Sequence, residues 1–221
     1  MTPHSQQMND FGNSLGKTLK MATKTPLFTI AQAFEELPQC GTKDEGLPLD
    51  KFCDACSLVS VLFNSLGLAF KFAEMEYVAK VGNLVEASKR FATLENIVDA
   101  DVGNGTVKKQ KSPSRDLRRV RQGLDLVRAL FEQFLSSKDY SLRNAASTAY
   151  AQVCAPYHTW AVRTAVSAGM HTLPSREQLL LKLNETDHSA KKKMRRYIKA
   201  SRPLIDYIDK LYISRKISLN W

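Results

Sequence analysis

Apolar residues recur at three- and four-residue spacing through almost the whole chain beyond residue 26. Leu27, Ile30, Ala31 and Phe34 share one side of a helix, and this spacing predicts a helix over Leu27–Leu37. Pro38, Gly41 and Gly46 break it, and Pro48 with Asp50 begins the next element. From Leu49 to Lys89 the pattern stays helical, with breaks expected at Gly67 and Gly82. Residues 99–114, DADVGNGTVKKQKSPS, read as a loop, with Ser114 capping the helix that follows. That helix, Arg115–Leu135, puts Leu117, Val120, Leu124, Val127, Phe131 and Phe134 on one broad face. A turn at Ser136–Asp139 leads to a helix over Leu142–Val153. Pro156 marks another start, continued through Ala161–Met170. Pro174 with Ser175 opens a short helix to about Leu183, and Thr186 caps a last long one to about Leu211. There is no alternation of period two, no internal repeat and no glycine-rich phosphate loop. The expected fold is all-α, a single domain of about eight helices joined mostly by short loops.

Length and composition leave this picture intact and add a charge. The 221 residues suit one medium domain, and 43% hydrophobic content suffices for a core. The longest apolar region, Leu58–Phe72, is interrupted by Ser60, Asn64, Ser65 and Lys71, so no membrane-spanning helix is expected. Residues 1–25 are polar and lack the apolar core of a secretory signal. They read as a disordered extension, with organelle targeting the weaker alternative, and the folded domain is expected over 26–221. Lys and Arg number 32 against 22 Asp and Glu, a formal charge of +10. That excess draws the chain to something anionic: nucleic acid, a membrane surface or a phosphorylated ligand. Cys40, Cys53, Cys56 and Cys154 lack the spacing of a secreted disulfide framework, so reduced thiols are expected.

Three polar clusters interrupt the apolar helices, where an uncompensated charge is costly. Glu76, Lys80 and Asn83 lie at i, i+4 and i+7, on one side of a helix. They read either as a solvent-facing ion pair or as a carboxylate offered to a ligand's N–H and O–H groups. Arg115 and Arg119, one turn apart, can grip one phosphate with forked hydrogen bonds. The surrounding Lys108, Lys109, Lys111, Arg118 and Arg121 equally suit a solvated face or a nucleic-acid backbone, but no nucleic-acid module pattern or interleaved aromatic appears. His158, between Tyr157 and Trp160, is a structural histidine or a donor to a carbonyl oxygen. Cys53-x-x-Cys56 and Cys154-x-x-x-His158 would allow a zinc site, but their apolar setting favours inert buried thiols. KKKMRR at 191–196 is a basic run, read as a solvated face before a localisation signal. No nucleophile–base constellation emerges, so neither an enzyme nor a cofactor is expected.

The segments FKFAEMEYVAKVGNL (70–84), RDLRRVRQGLDLV (115–127) and YAQVCAPYHTWAVR (150–163) resemble the glycolipid transfer protein family. The similarity is greatest to its plant accelerated-cell-death branch, which binds ceramide 1-phosphate. It spans about residue 27 to 221. The resemblance implies a two-layer helical sandwich holding a sphingolipid between its layers. It places Lys80, Arg115 and Arg119 on the phosphate, His158 on the acyl-amide carbonyl, and Glu76 where the family carries an Asp that accepts from the sphingoid amide and hydroxyl. The sugar-binding branch has a Trp where this chain has Arg119, and a Lys where it has Asn83. The guanidinium suits phosphate rather than sugar, and Asn83 is a further departure from the sugar-binding branch.

The expected function is therefore a non-enzymatic carrier of ceramide 1-phosphate or phytoceramide 1-phosphate. The alternatives are a sphingolipid sensor acting on a protein partner and a carrier of neutral glycosphingolipids. Phe63, Phe70, Val120 and Leu124 are candidates to wall the lipid cleft, with Leu66, Phe131, Phe134, Val162 and Val166. Tyr157 and Trp160 are candidates to touch a membrane. A cytoplasmic monomer, peripheral at membranes, is expected, with regulatory protein partners allowed and nucleic acid not. The resemblance also implies a link to programmed cell death and defence.

Overall fold

A computed structural model describes residues 25–38, 46–67, 70–136 and 141–221. Among them ten α-helices form: α1 Pro26–Glu35, α2 Leu49–Leu58, α3 Ser60–Ser65, α4 Lys71–Ser88, α5 Leu94–Gly103, α6 Pro113–Ser136, α7 Leu142–Val153, α8 Trp160–Met170, α9 Arg176–Lys182 and α10 Asp187–Ser214. A 3-10 turn, Ala155–Tyr157, stands between α7 and α8. The fold is the expected all-α, two-layer sandwich. Residues 1–24, with the expected N-terminal extension, and Cys40 and Gly41 lie outside the described residues.

Local chemistry starts most of these helices. Thr25 caps α1, with Pro26 in the first turn, where its missing N–H costs nothing. Reciprocal capping boxes start three more: Thr93 with Asn96 on α5, Ser175 with Gln178 on α9, and Thr186 with Ser189 on α10. Helix α6 runs through the middle, packing against α4, α5, α7 and α10, while α10 also packs on α1. The core includes Phe52, Leu84, Leu94, Leu117, Leu124, Tyr197 and Tyr212, all fully buried.

Four sequence expectations change. Residues 99–103 are not loop but the last turn of α5, and the irregular stretch covers only 104–112. Ser114 is not the cap of α6. It is fully buried, its hydroxyl donating to Ile97 O at 3.2 Å and its N–H to Asp101 Oδ2 at 2.9 Å. Ser112 caps instead, its hydroxyl accepting from the N–H of Arg115 at 3.1 Å. Gly82 does not break α4, whereas Gly67, at φ 96°, does end the preceding helical segment. Finally, Pro156 belongs to the short 3-10 turn, and α8 starts only at Trp160 under its Thr159 cap.

Candidate lipid headgroup site and apolar cleft

Helices α4 and α6 cross closely. A Cβ on Gly123 would stand 2.7 Å from the Tyr77 ring, so only glycine admits this approach. Tyr77 is itself fixed, its hydroxyl donating to Cys56 O at 3.0 Å. The side of α4 facing the first turns of α6 carries Glu76, Lys80 and Asn83. The Lys80 ammonium lies 3.3 Å from Glu76 Oε1 and 3.4 Å from Asp116 Oδ1. Asn83 is turned toward α6: its Nδ2 donates to Asp116 Oδ2 at 2.7 Å. Asp116 is 1% exposed, and Glu76, at 69% of its side chain, is the exposed partner of the two carboxylates.

Arg115 and Arg119 leave α6 one turn apart. The Arg115 guanidinium donates to Lys108 O, and that of Arg119 to Gln122 Oε1, both at 2.8 Å. Partial burial and the neighbouring Arg115 and Arg118 charges lower the Arg119 pKa, while Glu76 and Cys154 oppose this. It remains a cation, since a guanidinium does not lose its proton in proteins. Burial and the Arg119 charge also lower the His158 pKa, which keeps the imidazole neutral near pH 7. Arg118 is buried and faces away: it donates to Leu219 O at 2.8 Å and lies over the half-buried Tyr157 ring.

Beside these groups an apolar cleft, partly open to solvent, runs between α3, α6, α7, α8 and α9. Phe63, Leu66, Phe70, Val127, Leu130, Phe131, Met170 and Leu183 are among its walls. Val120, Leu124 and Phe134 are buried in the core and do not line it. Val166 packs on the core and Val162 is 41% exposed. Helix α8 buries only Met170 and leaves Trp160 75% exposed. Tyr150 joins cleft to polar site: its ring is part of the wall, and its hydroxyl bonds His158 Nδ1 at 2.8 Å.

Cys53 and Cys56 lie in the core, where burial pushes the Cys53 thiol up to about 12 and Cys56 well above its ordinary value. Burial also raises Cys154 to about 12. Among the described residues no three His, Cys, Asp or Glu side chains are grouped to hold a metal ion.

The family model of the glycolipid transfer proteins matches residues 47–185, which carry the cleft and every headgroup candidate. The chain belongs to this family. An Arabidopsis thaliana relative, ACD11 homolog protein, is 64% identical over 211 residues, covering 92% of each chain. Accelerated cell death 11 of the same plant is 47% identical over 198 residues, 89% of this chain and 96% of its own. The mouse ceramide-1-phosphate transfer protein is 30% identical over 171 residues, 71% and 79% of the two chains. A crystal structure of an Arabidopsis accelerated-cell-death 11 point variant, complexed with C12 ceramide-1-phosphate, superposes with a TM-score of 0.87 at 45% identity, covering 90% of this chain and all of that one. In this member of the glycolipid transfer protein family, Asp116, Gln122 and Tyr150 are the polar neighbours that sequence reasoning missed. Gln122 stands one turn beyond Arg119 on the same helix, whereas the partners of Asp116 and Tyr150 appear only in the tertiary fold.

Proposed function

We propose that the protein binds ceramide 1-phosphate and carries it between membranes without changing it chemically. One observation carries this reading: Tyr150 belongs at once to the apolar cleft and to the polar cluster. A ligand seated there would be an apolar tail continuous with a polar, anionic head. Lys80, Arg115 and Arg119 supply the cations, matching a phosphate monoester of about −1.5 to −2 charges. The Tyr150 hydroxyl can donate to His158 Nδ1, and in that tautomer the neutral imidazole would offer its Nε2–H to an amide carbonyl. Glu76, exposed and free to turn, accepts from the sphingoid amide and hydroxyl. The ligand named for the superposed plant structure supports the same choice.

The need for a carrier follows from magnitude. Each methylene moved from bilayer to water costs about 0.8 kcal/mol, so two chains with about 25 such groups face a cost of ~20 kcal/mol. A cleft lined by Phe63, Leu66 and Phe131 removes most of it. No helix among the described residues is long and apolar enough to cross a membrane. The exposed Trp160 and Phe72, with the basic excess, suit brief docking at an anionic surface.

Transfer between vesicles decides the matter, with ceramide 1-phosphate compared against galactosylceramide. Ceramide 1-phosphate is expected to move and the sugar lipid not, and equal transfer of both would sink the headgroup assignment. Arg119→Ala is expected to reduce phosphoceramide transfer by ~10-fold or more, because charge-assisted hydrogen bonds are worth about 1.5–3 kcal/mol each. Tight binding with negligible transfer would instead identify a sensor.

A further inference from the structure

We propose that Asn83 and Asp116 form a positioning pair for the phosphate site, acting through Lys80 rather than touching the ligand. The inference rests on the phosphoceramide reading above and adds two residues to its machinery.

The argument starts from helix register. Helices α4 and α6 are antiparallel and meet at two fixed points: the Tyr77 ring against Gly123, and the Asn83 amide on the Asp116 carboxylate. The points stand six residues apart on α4 and seven apart on α6. The residues midway between them are Lys80 on one helix and Arg119 on the other. Pinning both ends of the crossing therefore fixes the register at which these two cations leave their helices. Either cation alone on a loosely held helix would have to be ordered by the ligand, at a cost in affinity.

The second observation concerns charge. Asp116 is 1% exposed, and a buried carboxylate needs compensation. Asn83 supplies one hydrogen bond, to Oδ2. Oδ1 has no hydrogen-bond partner among the described residues and lies 3.4 Å from the Lys80 ammonium. Lys80 is consequently held from below by an anion that cannot move away, and from above by Glu76, which can. An incoming phosphate displaces Glu76 from Lys80 and leaves Asp116 in place. Asp116 thus keeps Lys80 aimed at the site in the empty protein, and Glu76 is released for the ligand's amide and hydroxyl.

The test exchanges the pair. In the full-length protein, Asp116→Ala, Asn83→Asp and the double variant Asn83→Asp/Asp116→Asn are compared with wild type. Binding of a short-chain ceramide 1-phosphate is read by calorimetry, folding by circular dichroism. The acylation rate of Lys80 by an amine reagent, read by peptide mass spectrometry without lipid, reports its positioning alone. Asp116→Ala and Asn83→Asp are expected to weaken binding at least tenfold, the second by opposing two carboxylates, and Asp116→Ala to speed Lys80 acylation several-fold. The swapped pair is expected to return both readouts to within threefold of wild type, because the amide–carboxylate bond and an anion beside Lys80 are regained. A swapped protein as weak as the single variants, folded or not, overturns the proposal, as does Asp116→Ala with wild-type affinity and acylation. Wild type that ignores ceramide 1-phosphate would count against the ligand, and the acylation series would still judge the pair.

Discussion

Tyr150 works at the scale of a single hydroxyl. Its ring belongs to an apolar wall and its oxygen reaches His158 Nδ1. An imidazole that accepts at Nδ1 must carry its proton on Nε2, the tautomer able to donate to an acyl carbonyl. Tyr150→Phe keeps the wall and removes the constraint. It is expected to weaken ceramide 1-phosphate binding by ~5-fold, the worth of about 1 kcal/mol for a hydrogen bond. Nitrogen-15 NMR of His158 should then show a mixture of tautomers where wild type shows one. Unchanged nitrogen shifts would remove Tyr150 from the site. Glu76→Asp follows from the same scale. Glu76 is largely exposed and bonded only to Lys80 in the empty protein, so the family's shorter side chain is expected to hold or improve lipid affinity. Abolished binding would mean that this chain uses the extra methylene. The position of these side chains on their helices was readable from spacing alone. Their partners were not: Asp116 looks like any first-turn acid of a helix, and nothing in the one-dimensional pattern says that it is buried beneath Lys80.

Two glycines separate what an element tolerates from what a crossing demands. Gly82 and Gly123 both lie inside helices, and by sequence both are weak points. The space around Gly82 is open, while a Cβ at Gly123 would collide with the Tyr77 ring. Gly82→Ala is therefore expected to stabilise the protein by up to ~1 kcal/mol, since it only restores helix propensity. Gly123→Ala is expected to cost ~1–3 kcal/mol, as overpacking pushes α4 off α6, lowering Tm by about 2–12 °C on the scale of proteins this size. Thermal melts of both variants check the pair, and an equal response would refute the close crossing. The same contrast explains what was legible among the elements. Strongly periodic helices with a starting signal, such as α1, α7 and α10, could be located from sequence. Gly82 misled because its neighbours on α4 continue the helix regardless. Helix α5 is hidden in the sequence because Asn104-Gly105 marks a turn so clearly that Asp99 and Asp101 read as part of it, although Thr93 and Asn96 form a capping box at its start.

At the scale of the whole molecule, the charge and the exposed apolar groups have to act together. The formal charge of +10 gives attraction to any anionic surface but no depth. Phe72, 83% exposed on α4, and Trp160, 75% exposed on α8, give depth. Phe72 stands in the first turn of the helix that bears Glu76 and Lys80, and Trp160 follows His158 by two residues, so both stand near headgroup candidates along the chain. A protein that docks through them would present its site to the lipid surface. Trp160→Ala should therefore separate binding from delivery. Affinity for a soluble short-chain ceramide 1-phosphate is expected to stay within twofold, because Trp160 touches neither cleft nor cation. Transfer between vesicles is expected to fall by ~10-fold, the equivalent of about 1.5 kcal/mol for one large apolar side chain withdrawn from the interface. Adding phosphatidylserine to the vesicles should raise wild-type binding at low salt, and raising ionic strength should cancel that gain, since the attraction decays over a Debye length of about 10 Å at 0.1 M. The Trp160→Ala protein should keep the salt-sensitive part and lose the rest. If it instead transfers lipid at the wild-type rate on neutral vesicles, α8 does not face the membrane and docking must be sought on another surface.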